Sequence, residues 1–143
     1  MGFDRFMAMA LYEPGLGYYT NVLQKFGAMP SSGSDFVTAP GMSPLFGQTL
    51  AVQVNEALAA TGTDEVWEFG AGTGALALQL LDSLGDAVSR YTIIDLSGTL
   101  RARQADTLLQ HAGKVRWLDA WPDAIEGVVV GNEVLDAMPV QLL

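Results

Sequence analysis

The sequence predicts an α/β protein built on a parallel sheet with helices on both faces. Three observations lead there. An apolar run closes in a glycine-rich turn, Val66-Trp67-Glu68-Phe69-Gly70-Ala71-Gly72-Thr73-Gly74, and a helix-forming run over 75–81 follows at once. From that point short apolar runs alternate with helical ones, which is the pattern of βαβ units whose right-handed crossovers make neighbouring strands parallel. Val128-Val129-Val130 is apolar at consecutive positions, as suits a strand covered on both faces.

Taken in order, Phe3, Phe6, Met7, Ala10 and Leu11 recur at helical spacing and predict an amphipathic helix. Tyr12-Glu13-Pro14-Gly15 ends it as a turn. Gly17-Tyr18-Tyr19 opens an irregular stretch to Ser34, and 35–40 is short and mixed. Ser43 is placed as an N-cap with Pro44 in the first turn. Phe46, Leu50, Val54 and Leu58 then form a stripe along a helix that ends near Gly62. Strands are expected over 66–69, 91–94, 115–118 and 127–131. Helices are expected over 75–84, closed by Gly85, and from a Ser97 cap to about residue 110. The division that follows is a helical and loop cap over 1–62 and the first half of a ligand-binding domain over 63–143. A fourth strand left at the sheet edge would be an apolar edge, so the domain is expected to be incomplete at its C-terminal side.

The composition narrows the function classes. The 143 residues suit one core, and 7 basic against 16 acidic residues give a net charge of −9. Such a surface repels nucleic acid and anionic lipid and suits a cationic ligand. There is no cysteine, which excludes thiolate metal sites and a cysteine nucleophile; no metal is expected. His111, the one histidine, reads as a solvated residue at a helix end. No run of apolar residues is long enough to span a bilayer, and the opening residues lack a signal-peptide pattern.

A strand, a glycine turn and a helix N-terminus together make a nucleotide-type ligand site. Gly70-x-Gly72-x-x-Ala75 fits the dinucleotide pattern. Glu68-x-Gly70-x-Gly72-x-Gly74 resembles instead the turn that holds S-adenosylmethionine (SAM) in Rossmann-type methyltransferases. Glu68 favours the second: a carboxylate at the strand's mouth repels a pyrophosphate and attracts a ligand with a sulfonium and an ammonium. Asp95 ends the second strand about 20 residues past the turn, the spacing of an acid that accepts from ribose hydroxyls. Asp119, after the third strand, is placed to accept from an adenine amine. Asn132, Glu133 and Asp136 follow the fourth strand, which should flank the point where strand order reverses. The bland alternative there is a capped helix start.

Five motifs carry a more specific resemblance. The run Met7 to Tyr19, with Leu11-Tyr12-Glu13-Pro14-Gly15 and Gly17-Tyr18-Tyr19 at its centre, is similar to the opening of the MidA / NDUFAF7 family of SAM-dependent methyltransferases. Ser34 to Pro40 with Ser43 to Gly47, the glycine turn, Leu96-Ser97 with Leu100, Arg101 and Gln104, and Asn132 to Val140 resemble its later signatures. Gly41 departs from the family, where an acid is common. The resemblance implies a Rossmann-like class I fold and a protein-arginine N-methyltransferase of the type linked to respiratory complex I assembly. It implies that Gly70, Ala71, Gly72 and Gly74 hold the amino-acid end of SAM, with Glu68 toward the ammonium. Asp95 and Leu96 would hold the ribose side and Asp119 the adenine, while Asp35 and Thr38 close over the ligand. Glu133 and Asp136, with Asn132, would orient a substrate guanidinium. The partner is then a protein arginine, and the compartment the cytoplasm of a bacterium or the mitochondrial matrix of a eukaryote. No feature of the sequence sets an oligomeric state. The rivals are a SAM-binding assembly protein without turnover and an NAD-dependent oxidoreductase.

Overall fold

The computed structural model describes residues 1–20 and 37–142. In chain order these form α1 (Phe3–Tyr12), α2 (Ala39–Met42), α3 (Pro44–Thr61), β1 (Glu65–Phe69), α4 (Ala75–Leu84), β2 (Arg90–Ile94), α5 (Gly98–Thr107), β3 (Val115–Leu118) and β4 (Val128–Gly131). One-turn 3-10 helices follow α4, α5 and β4. All strand pairs are parallel, in the order β3-β2-β1-β4. The order therefore reverses between β1 and β4.

Register divides the sheet into two faces. Val66 and Glu68 on β1 align with Tyr91 and Ile93 on β2 and with Val128 and Val130 on β4. This face meets α3, α4 and Leu108 in one hydrophobic cluster. Helices α3 and α4 cover this face. The other face carries Trp67, whose indole donates to the Glu126 carbonyl, and an Arg116–Glu65 ion pair at 2.7 Å. The 119–127 connection supplies cover there, with Trp121 packed at a tilt on Phe69 at a centroid distance of 4.6 Å.

Local chemistry explains the element ends. The Ser43 hydroxyl accepts from the Leu45 N–H with Pro44 beside it, and Gly62 closes α3 in the left-handed region. The stripe along α3 is shifted from the expected one. Gly47, Ala51, Val54 and Leu58 are buried, whereas Phe46 is exposed. The shift has a cause: the Gly47 backbone lies so close to Gln79 on α4 that no β-carbon would fit. α3 thus shares the sheet's core. The mixed 35–40 stretch ends in a helical turn, α2, bound to α4 by the Gln79 amide donating to the Pro40 carbonyl. α5 ends at Thr107, earlier than expected, and continues as the 3-10 turn Leu109–His111. His111 contacts Asp82 at 2.7 Å. No helix in the described residues is long and apolar enough to cross a membrane.

Candidate functional site

A cavity of about 560 Å³ lies along the carboxyl ends of the strands, where the order reverses. That position and size suit a small-molecule ligand of nucleoside dimensions. It is lined by Glu68, Gly70, Ala71, Gly72, Asp95, Leu96, Asp119, Asn132, Glu133, Asp136 and Thr38, so the structure brings together nearly every residue singled out from the sequence. Gly74 is the exception. Its φ of 83° starts α4, and its Cα faces Gln104 and Thr107 of α5 rather than the cavity. Asp35 lies outside the described residues.

The glycine turn forms one end. Gly70 and Gly72 have φ of 61° and 54°, a region that L side chains rarely adopt. The alternating glycines thereby fold the chain back under the N-terminus of α4. Glu68 is not at the strand's mouth, as expected, but beneath the turn and 2% exposed. It sits on the helix-covered face, and burial there pushes its carboxyl up to about 7. The Tyr91 hydroxyl, donating at 2.7 Å, opposes that rise, and the Asp95 charge adds to it. A cation arriving beside Glu68 would favour its ionised form.

Asp95 directly follows β2 and is 9% exposed. One carboxylate oxygen accepts from the Ser97 N–H at 2.9 Å and the other from the Gln104 amide at 2.8 Å. Burial raises its pKa, while those two donors and Arg101 counteract the rise. A carboxylate has about four lone-pair sites, so Asp95 can still accept from two hydroxyls of a ribose. Beside it Leu96, Asp119 and Trp121 wall the cavity with one apolar side chain, one carboxylate and one indole.

The far side is built differently. Asn132 and Glu133 follow β4, and among the described residues Glu133 is the one non-glycine with positive φ, at 54°. Such strain persists only where surrounding structure imposes it, and it clusters at functional sites. No helix starts at Asn132; the segment makes a single 3-10 turn, Leu135–Ala137, carrying Asp136. Two tyrosines close this side. Gly17, whose Cα packs on the Leu11 carbonyl, lets the chain after α1 double back. Tyr19 then stacks on Tyr12 with centroids 5.7 Å apart. The Tyr12 hydroxyl donates to the Ala137 carbonyl at 2.7 Å. Burial raises the pKa of both tyrosines, with smaller contributions from Asp136 to both and from Glu133 to Tyr19.

Tyr12, Tyr19, Gln104 and Trp121 received no role from the sequence. Their neighbours are distant in the chain, so spacing carried no signal beyond the motifs that contain the first three. Among the lining residues, five carboxylates face one arginine, Arg103. That field suits a cationic ligand and opposes a pyrophosphate.

Known proteins give the same picture. The family model described as "Putative S-adenosyl-L-methionine-dependent methyltransferase" matches residues 49–143. The mitochondrial protein arginine methyltransferase NDUFAF7 homolog of Caenorhabditis elegans is 27% identical over 94% of this chain and 38% of its own length. The NDUFAF7 protein arginine methyltransferase of Danio rerio, also mitochondrial, is 32% identical over 72% of this chain and 26% of its own. A Burkholderia thailandensis protein, solved bound to S-adenosyl-homocysteine, superposes with a TM-score of 0.90 and 58% identity over 97% of this chain and 38% of that one. The chain therefore spans less than two fifths of the length of each of these relatives.

Proposed function

Because the chain belongs to the S-adenosyl-L-methionine-dependent methyltransferase family whose model spans residues 49–143, we propose that its cavity binds SAM and that the whole protein methylates an arginine side chain of a protein. The carrying observation is the buried Asp95 carboxylate, held by two donors yet lining the cavity beside a turn of left-handed glycines. Gly70 to Gly72 cradle the amino-acid end, Glu68 faces the ammonium, Asp95 the ribose hydroxyls, and Leu96, Asp119 and Trp121 the adenine. Thr38, on the cap side, closes over the ligand. Residues 1–62 act as the cap in this reading and 63–143 as the first part of the binding domain, with α3 serving both.

SAM supplies an electrophilic methyl on sulfur, so the protein's task is positioning and electrostatics. Glu133 and Asp136 accept from a guanidinium, whose planar fork of donors matches a carboxylate. Asn132 donates to Glu133 at 3.2 Å and steadies it. Carboxylates on that side favour the cation that exists between methyl transfer and proton loss. The resemblance implies a role linked to complex I assembly, in the mitochondrial matrix or, in a bacterium, the cytoplasm; the names of the two curated relatives support protein arginine methylation and a mitochondrial location.

Methyl-labelled SAM incubated with the full chain and arginine-containing peptides should yield labelled methylarginine on hydrolysis. Labelled methyllysine would overturn the arginine assignment. SAM binding with no transfer would favour a non-catalytic assembly role.

A further inference from the structure

Gln104 on α5 is wholly buried, and every polar atom of its side chain has a partner. Its Nε2 donates to Asp95 Oδ2 at 2.8 Å and to the Gly72 carbonyl at 3.1 Å. Its Oε1 accepts from Trp117 Nε1 at 2.9 Å. An indole N–H can only donate, and a carboxylate and a carbonyl can only accept. The amide therefore has one orientation that satisfies all three partners. Flipping it would set an oxygen against Asp95 and leave the Trp117 donor facing an NH₂. One side chain thus joins the two ligand-facing elements, the glycine turn after β1 and the acid after β2, and β3 holds it in place through Trp117.

We propose that Gln104 is a positioning residue that fixes Asp95 and the glycine turn in one register, so that both ends of the bound nucleoside are held by a single rigid unit. This rests on the reading of the cavity as a SAM site. The Asp95–Gln104 bond is charge-assisted, and losing a hydrogen bond to an ionised partner corresponds to roughly a tenfold to hundredfold change in an equilibrium constant. The carboxylate also loses a donor that favours its charged form. Its other titratable neighbours are Arg101 from α5, which favours that form, and Glu68 from β1 and Tyr12 from α1, whose own ionisation the Asp95 charge disfavours. Accepting from ribose hydroxyls requires the ionised acid, so removing Gln104 should move the acid limb of ligand binding to higher pH.

The test is calorimetry of the full chain with S-adenosyl-homocysteine across a pH series. Gln104→Met, which keeps length and burial, should weaken binding about tenfold or more and shift the acid limb upward. Trp117→Phe, which removes the donor that orients the amide together with part of the indole's volume, should do the same to a smaller degree. A folded Gln104→Met protein with unchanged affinity and acid limb would overturn the inference and leave the SAM site standing. If that variant does not fold, an unchanged Trp117→Phe profile overturns it. If the unmodified chain does not bind S-adenosyl-homocysteine at all, the reading of the cavity itself fails.

Discussion

The two sides of the cavity are built to different tolerances. On the β1–β2 side, Glu68, Asp95 and Gln104 are buried and each is hydrogen-bonded. On the β4 side, Glu133 and Asp136 are exposed. That side is tied to α1 through the Tyr12–Ala137 bond, which links residues 125 apart in sequence. A buried polar network fixes geometry, because any unpaired member would be costly in the low-dielectric interior. Exposed carboxylates beside a strained backbone can move and are screened by water. Under the proposed function the contrast separates a rigid cofactor grip on one side from an open substrate side on the other.

The largest effect expected is on the rigid side. Gly72→Val places a β-branched residue at φ 54° where backbone must meet ligand. Calorimetry should find S-adenosyl-homocysteine binding abolished; retained binding would mean that the turn does not cradle the ligand. Next comes the open side. Glu133→Gln should lower methyl transfer about a hundredfold, the scale for a lost transition-state contact, while leaving SAM affinity nearly unchanged. A collapse of SAM affinity with turnover intact at saturating SAM would move Glu133 to the cofactor side and erase the contrast.

Tyr12→Phe sharpens the contrast further. It keeps the ring stacked on Tyr19 and removes only the hydroxyl that holds the Leu135–Ala137 turn, a bond contributing about 1 kcal/mol. The expected result is a several-fold higher KM for the protein substrate with SAM affinity unchanged, read from steady-state kinetics. The smallest effect concerns pH. Glu68 titrates near 4.5 when unfolded and at about 7 in the folded chain. The folded state therefore binds more protons between those values, and stability falls as pH rises from about 4.5 to about 7. Glu68→Gln should flatten that part of the ligand-free Tm profile and weaken SAM binding at pH 8. An unaltered slope would place its pH dependence elsewhere.

What could be read from the sequence follows the same division. Asp95, Gly70 and Gly72 were legible because the βαβ unit is local: a strand, a tight turn and a helix set the acid's spacing without knowledge of the rest. The caps at Ser43 and Gly62 were legible for the same reason. The glycine pattern groups Gly74 with the ligand turn, because pattern cannot tell a glycine that meets a ligand from one that meets a neighbouring helix. Strand position alone sets Glu68 at the mouth, because its burial depends on α3 and α4 covering that face. Periodicity includes Phe46 in the α3 stripe and passes over Gly47, because the close approach of α3 to α4 at Gly47 and Gln79 is a through-space fact. Tyr12 and Gln104 act on partners far along the chain, and no periodicity reports that.

The most direct test of the account is the affinity of the full chain for S-adenosyl-homocysteine with and without the Asp95 carboxylate. Asp95→Ala should bind the ligand roughly tenfold to a hundredfold more weakly, the loss expected for charge-assisted bonds to two hydroxyls. Equal affinity for the two proteins would contradict the placement of the ribose on Asp95, and with it the claim that the rigid side of this cavity is the cofactor side.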